Sequence, residues 1–165
     1  MTKKIGFVSL GCAKNLTDTE TMLGILSRDG FEITADAGEA DVIVVNTCAF
    51  IDSAKEESIN AILEMAQYKE KNCELLIVTG CLAQRYREDI ERELSEVDIV
   101  LGTSDYDKIA EVIADFYADG SKNSSVSDVN TNVDYDLPRV VTTPDYTAYL
   151  KIADGCDNFC TYCII

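Results

Sequence analysis

The 165 residues contain no histidine, no tryptophan and only two prolines. Without histidine the commonest general base and the commonest nitrogen ligand for zinc are missing. Metal or acid–base chemistry must then run through cysteine, carboxylate or lysine. Basic charge is also scarce: 14 Lys and Arg stand against 30 Asp and Glu, a formal net charge of −16. Such a surface repels phosphate backbones, which argues against RNA or DNA binding by this chain and favours a basic partner. No apolar run approaches membrane-spanning length, so no membrane association is expected. The opening MTKKIGFVSLGC places lysines before an apolar stretch, but Ile5 to Leu10 is too short for a secretory core and reads as a buried strand. The expected compartment is the cytoplasm, where thiols stay reduced, and the seven cysteines then read as ligands or catalysts rather than disulfide partners.

At 47% hydrophobic residues the chain can bury one well-packed domain, and it is too short for two large ones. Short β-branched runs recur at KIGFVSL (Lys4 to Leu10), DVIVVNT (Asp41 to Thr47), ELLIVTG (Glu74 to Gly80) and DIVLG (Asp98 to Gly102), with a brief FEIT at Phe31 to Thr34. These have the composition of strands buried on both faces. Helical patterns lie between them. Thr17 to Glu20 and Ser53 to Glu56 read as capping boxes that open helices. Ile59, Ile62, Leu63 and Ala66 form one apolar stripe, and Ile109, Val112, Ile113 and Phe116 another. The alternation predicts an α/β fold, an open parallel sheet of flavodoxin-like or Rossmann-like type with helices on both faces. Residues 1–118 form this domain. From Asp119 to about Pro144 the sequence turns to Ser, Asn, Asp and Pro with little periodicity, a linker over residues 119–146. YTAYLKIADGC then resumes as one more strand.

Cys12, Cys48 and Cys81 each follow one of the predicted strands, at the carboxyl edge where open α/β sheets build their sites. In a flavodoxin-like order, 2-1-3-4-5, their strands are neighbours at about 4.8 Å spacing, which puts the outer two thiols about 10 Å apart before their loops bend inward. A lone cysteine is as readily a small buried apolar residue; three at one edge favour convergence on one metal centre. Cys73 precedes its strand, about 25 Å from Cys81 at the opposite edge, and reads as structural or incidental. Cys156, Cys160 and Cys163 form a tight CxxxCxxC motif. Zinc is the alternative occupant, but structural zinc takes four ligands and no histidine is present. Three thiolates suit a four-iron cluster with one iron left open.

CDNFCTYC resembles the cysteine motif of the radical S-adenosylmethionine (SAM) enzymes. SLGCAKN, VNTCAF and VTGCLAQRY are similar to the amino-terminal domain of the methylthiotransferases within that superfamily. The resemblance covers essentially the whole chain. It implies two 4Fe-4S clusters, a radical SAM cluster on Cys156, Cys160 and Cys163 that binds SAM, and an auxiliary cluster on Cys12, Cys48 and Cys81. It also implies an electron donor such as flavodoxin or ferredoxin. KIGFVSLGCAKN and YLKIADGCDNFCTYCII look more like the branch that modifies the β-carbon of an aspartate in a small-subunit ribosomal protein than the branch that modifies an adenosine of tRNA. An iron-sulfur electron-transfer module and a protein-docking module are the other functions left open. Residues 147–165 would begin the radical SAM domain as its first barrel strand, so the resemblance implies a fragment that is inactive alone. Asn15 and Asn46 flank the auxiliary site, either as donors to cluster sulfur or as turn residues that satisfy their own loops. Gly11, Thr47 and Gly80 would let those loops come close.

Overall fold

The computed structural model describes residues 2–129, 136–156, 158, 160 and 161. Its elements alternate as the sequence predicts. β1 (Lys4–Ser9) leads into α1 (Ala13–Arg28), β2 (Glu32–Thr34) and β3 (Val42–Thr47). α2 (Asp52–Ala66), β4 (Leu75–Gly80), the short α3 (Cys81–Arg85) and α4 (Arg87–Glu93) follow, then β5 (Ile99–Leu101) and α5 (Ile109–Asp119). All five strands pair in parallel in the order β2-β1-β3-β4-β5. This is the flavodoxin-like order, with β1, β3 and β4 adjacent.

β3 and β4 are buried along their whole length. Alternate residues serve opposite faces, as the pleat requires. Val42, Val44, Leu75 and Ile77 pack with Met22, Leu26, Ile109 and Ile113 of α1 and α5. Ile43, Val45, Leu76 and Val78 pack with Ile62, Met65, Leu82 and Ile90 from α2, α3 and α4. Helices therefore cover both faces, and the central strands read as continuous hydrophobic runs for that reason.

Three local expectations are corrected. Thr17 to Glu20 does not open a helix: α1 begins at Ala13 with Cys12 as its N-cap, and the Thr17 hydroxyl donates to the Lys14 carbonyl from within the helix. Ser53 is likewise inside α2, whose N-cap is Ile51 with no side-chain cap. The expected α2 stripe is rotated. Ile62 and Ala66 are buried, but Ile59 and Leu63 stand 40% and 43% exposed, and Ser58 and Met65 complete the inner face. The α5 stripe faces the core as expected.

Beyond α5 the described residues carry no further helix or named strand, but they are not detached from the sheet. Ser125 forms a parallel bridge with Leu101 and covers the β5 edge. Asp105, fully buried, accepts from the Ser127 amide and from the Ser125 and Ser127 hydroxyls. Val140 donates its amide to the Glu20 carbonyl of α1 at 2.9 Å. The stretch expected as a terminal strand, Tyr146 to Cys156, makes no sheet pairing. A strand needs a neighbour to complete its backbone hydrogen bonds, and none adjoins it among the described residues.

Candidate functional site

Parallel pairing sets the three upstream cysteines on one edge. Thr47 pairs with Gly80, so Cys48 and Cys81 each lie one residue beyond a matched pair. Cys12 lies three residues past Ser9, whose partner is Asn46. Cys48 is buried, Cys81 half-buried and Cys12 exposed. Two glycines make the approach possible. A Cβ on Gly11 (φ +89°) would fall 2.7 Å from Cys48 Cβ and 2.9 Å from Cys48 Sγ. On Gly80 (φ +93°) it would fall 2.7 Å from the Thr47 nitrogen and closer still to Thr47 O and Asn46 Oδ1.

The loops are tied together by side chains that reach across them. Asn15 Nδ2 donates to Leu10 O and Thr47 O, both at 2.9 Å, and so joins the β1 and β3 exits. Asn46 Nδ2 donates to Asn15 O at 2.8 Å and to Thr19 Oγ1 at 3.0 Å. Both amide nitrogens have therefore spent their two hydrogens, and neither is a donor to sulfur. Asn15 Oδ1 instead accepts from the Cys81 thiol at 3.9 Å. Asn46 Oδ1 is a buried acceptor with no donor among the described residues. Ser58, which sequence reasoning missed, holds Cys48 from α2: its fully buried hydroxyl accepts from Cys48 N and donates to Cys48 O, both at 3.0 Å. A single serine on an otherwise apolar face was the available signal.

Burial pushes the Cys81 thiol above its ordinary range, against the opposing pull of Lys14, and the nearby Cys48, Cys12 and Asp18 push it further up. Cys48 and Cys12 are thus close enough to Cys81 to bear on its ionisation. Lys14 is a cation at this edge. Its partial burial works against its charge, but Asp18 at 2.7 Å and Asp154 at 3.5 Å more than offset that and raise its pKa. Cys12 also caps the positive end of a 16-residue helix, which favours a negative group there. Among the described residues no three Cys, His, Asp or Glu side chains stand close enough to chelate one metal ion.

Cys73 sits apart, before β4 and in the core under α2 and α4, with 4% exposure and its thiol on Leu75 O at 3.4 Å. Its pKa is raised by burial, as for an inert packing residue. Cys156 and Cys160 are exposed, and Asn158 Nδ2 donates to Cys156 Sγ at 3.3 Å. Cys163 lies outside the described residues.

The sequence is similar to those of known proteins. The chain is 57% identical over 171 residues to the ribosomal protein uS12 methylthiotransferase RimO of Acetivibrio thermocellus, covering 100% of this chain and 38% of that protein. To the protein of the same name from Trichlorobacter lovleyi it is 53% identical over 164 residues, 99% of this chain and 36% of the relative. The protein of that name from Lachnoclostridium phytofermentans is 58% identical over 163 residues, 98% of this chain and 37% of the relative. The chain therefore spans a little over a third of the length of these curated relatives. The profile of the uncharacterized protein family UPF0004 matches residues 4–102, more than half of the sequence, and the chain belongs to that family.

Proposed function

We propose that this chain is the amino-terminal portion of a RimO-type radical SAM methylthiotransferase of the cytoplasm, with residues 1–118 carrying an auxiliary 4Fe-4S site on Cys12, Cys48 and Cys81. The observation that supports this best is the convergence of those three cysteines at adjacent strand ends, on loops that Gly11 and Gly80 allow to touch. The donor set fits the group: three soft thiolates, no competing nitrogen ligand, a nearby Lys14 and a helix amino terminus to balance negative charge. A four-iron cluster would take one cysteine on each of three irons, so its ligands need not meet at a single ion.

In the whole protein the two clusters, with SAM and an electron donor such as flavodoxin or ferredoxin, would supply the radical chemistry and the methylthio group. This chain's residues do the holding. Cys12, Cys48 and Cys81 would hold the auxiliary cluster. Asn15 and Asn46 fix the spacing of their loops, and Ser58 locks the backbone of Cys48. Cys156, Cys160 and Cys163 are the ligands proposed for the radical SAM site, beginning at the linker's end over residues 147–165. The proposed substrate is the β-carbon of an aspartate in ribosomal protein uS12, the protein named for the relatives. A charge of −16 suits a basic protein better than a tRNA.

The test is anaerobic reconstitution with iron and sulfide, followed by iron counting and spectroscopy. The Cys12/Cys48/Cys81 triple serine variant is expected to lose about four irons per chain, and the Cys156/Cys160/Cys163 triple variant about four others. Cys73→Ser should lose none. Iron content independent of Cys12, Cys48 and Cys81 would overturn the assignment.

A further inference from the structure

Glu20 is in the middle of α1 and is fully buried, a placement that costs a carboxylate heavily unless it is paired. Among the described residues its charged partner is Arg139, from beyond the sheet domain. Arg139 donates through Nε at 2.9 Å and through Nη2 to Oε2, while Thr142 donates its amide at 2.6 Å and its hydroxyl at 2.9 Å to Oε1. The Val140 amide adds a bond to the Glu20 carbonyl. One turn further along, a Cβ on Gly24 would lie 2.7 Å from Arg139 N and closer still to the Pro138 carbonyl, so the strap and the helix backbone are in contact there. α1 thus carries both a buried charge and a bare backbone patch that residues 138–142 cover.

The contacts continue toward the second cysteine motif. Arg139 Nη1 donates to Tyr149 O at 2.7 Å. Lys151 binds Asp18 of α1 at 2.9 Å and Asp154 at 2.7 Å, and the other Asp18 oxygen binds Lys14. With side chains of Asp18 and Lys151 only 7% and 14% exposed, this is a shielded network rather than a surface pair. It joins Lys14, two residues after Cys12, to Asp154, two residues before Cys156.

We propose that Glu20 is a positioning residue: it seats residues 138–142 on α1, and with Asp18 holds the lead-in to the second cysteine motif in a fixed relation to the first. The seat stands on its own contacts; its purpose rests on the function proposed above.

The experiment is amide hydrogen exchange on the 165-residue chain, comparing wild type with Glu20→Gln, Glu20→Asp and Gly24→Ala. Gly24→Ala is informative because alanine favours the helix while its methyl group obstructs the strap. In Glu20→Gln and Gly24→Ala the Val140 and Thr142 amides are expected to lose protection by about tenfold or more, the scale of a lost charged hydrogen bond, while β3 and β4 keep theirs. Glu20→Asp, which keeps the charge, should restore part of the protection lost in Glu20→Gln. Val140 and Thr142 unprotected in the wild type, or equally protected in Gly24→Ala, would overturn the proposal. If Glu20→Gln also strips β3 and β4, Gly24→Ala decides alone. Iron counting on the same samples reads the cluster assignment separately, so either idea can fail without the other.

Discussion

Gly80→Ala tests whether the backbone at the site is encoded by the last residue of β4, immediately before Cys81. Gly80 adopts φ +93° and ψ −163°, a region that only glycine occupies without strain. An L-residue held there costs about 1–3 kcal/mol from the backbone alone. The added methyl would also meet Thr47 N at 2.7 Å, with Thr47 O and Asn46 Oδ1 nearer. Two of those three atoms are backbone in a fully buried strand, so they cannot swing aside, and overpacking adds about 1–3 kcal/mol. The expected loss is about 2–6 kcal/mol, a large part of the about 5–15 kcal/mol that holds a domain folded. Gly120→Ala is the control. It has φ +80° at the α5 C-cap with nothing within 4 Å of its Cβ, so it should cost only the left-handed penalty, about 1–2 kcal/mol. Urea denaturation of both variants, followed by circular dichroism, gives the two losses directly. Equal losses at Gly80 and Gly120 would refute the claim that close approach of the Cys48 and Cys81 loops, rather than chain reversal alone, demands glycine.

Ser58→Ala removes the hydroxyl that both accepts from and donates to Cys48, leaving two buried backbone groups without that partner; a loss of about 1–3 kcal/mol in denaturant unfolding is expected, with faster alkylation of Cys48. Asp105 governs an acid-sensitive clasp. Its burial opposes ionisation, but Lys108, Ser127 and Ser125 together hold its pKa down at about 2 against an ordinary 3.8. A depressed carboxylate stabilises the fold above the unfolded value and loses that contribution as pH falls through the folded value. Asp105→Asn should therefore cost about 2 kcal/mol more at pH 6 than near pH 2, with the difference shrinking below about pH 4, as measured by thermal unfolding across that range. A pH-independent difference would show that the clasp is held by shape rather than charge.

What was legible in the sequence follows from the range over which each signal acts. Val42 to Val45 and Leu75 to Val78 announce buried parallel strands because every residue in them faces one helical layer or the other. From those strands and their order, the common edge of Cys12, Cys48 and Cys81 follows almost without further information. The misreadings share a different cause. Thr17 to Glu20 has the composition of a capping box, but its glutamate faces a partner 119 residues away, and a local pattern cannot register such a partner. Asn15 and Asn46 left open whether they donate to sulfur or satisfy their own loops, and the structure spends all four of their amide hydrogens on the β1 and β3 exits and on α1. Ile59 and Leu63 fit a helical period yet face outward, while Ser58 takes an inner position and holds Cys48. In each case a polar residue that looked like a local punctuation mark is committed to a distant strand end or to the strap. Local periodicity thus sets the layers, while the buried polar residues that break it are the ones that assemble the site. On a buried helix face, an unexpected serine or glutamate is therefore the place to look for what the helix holds.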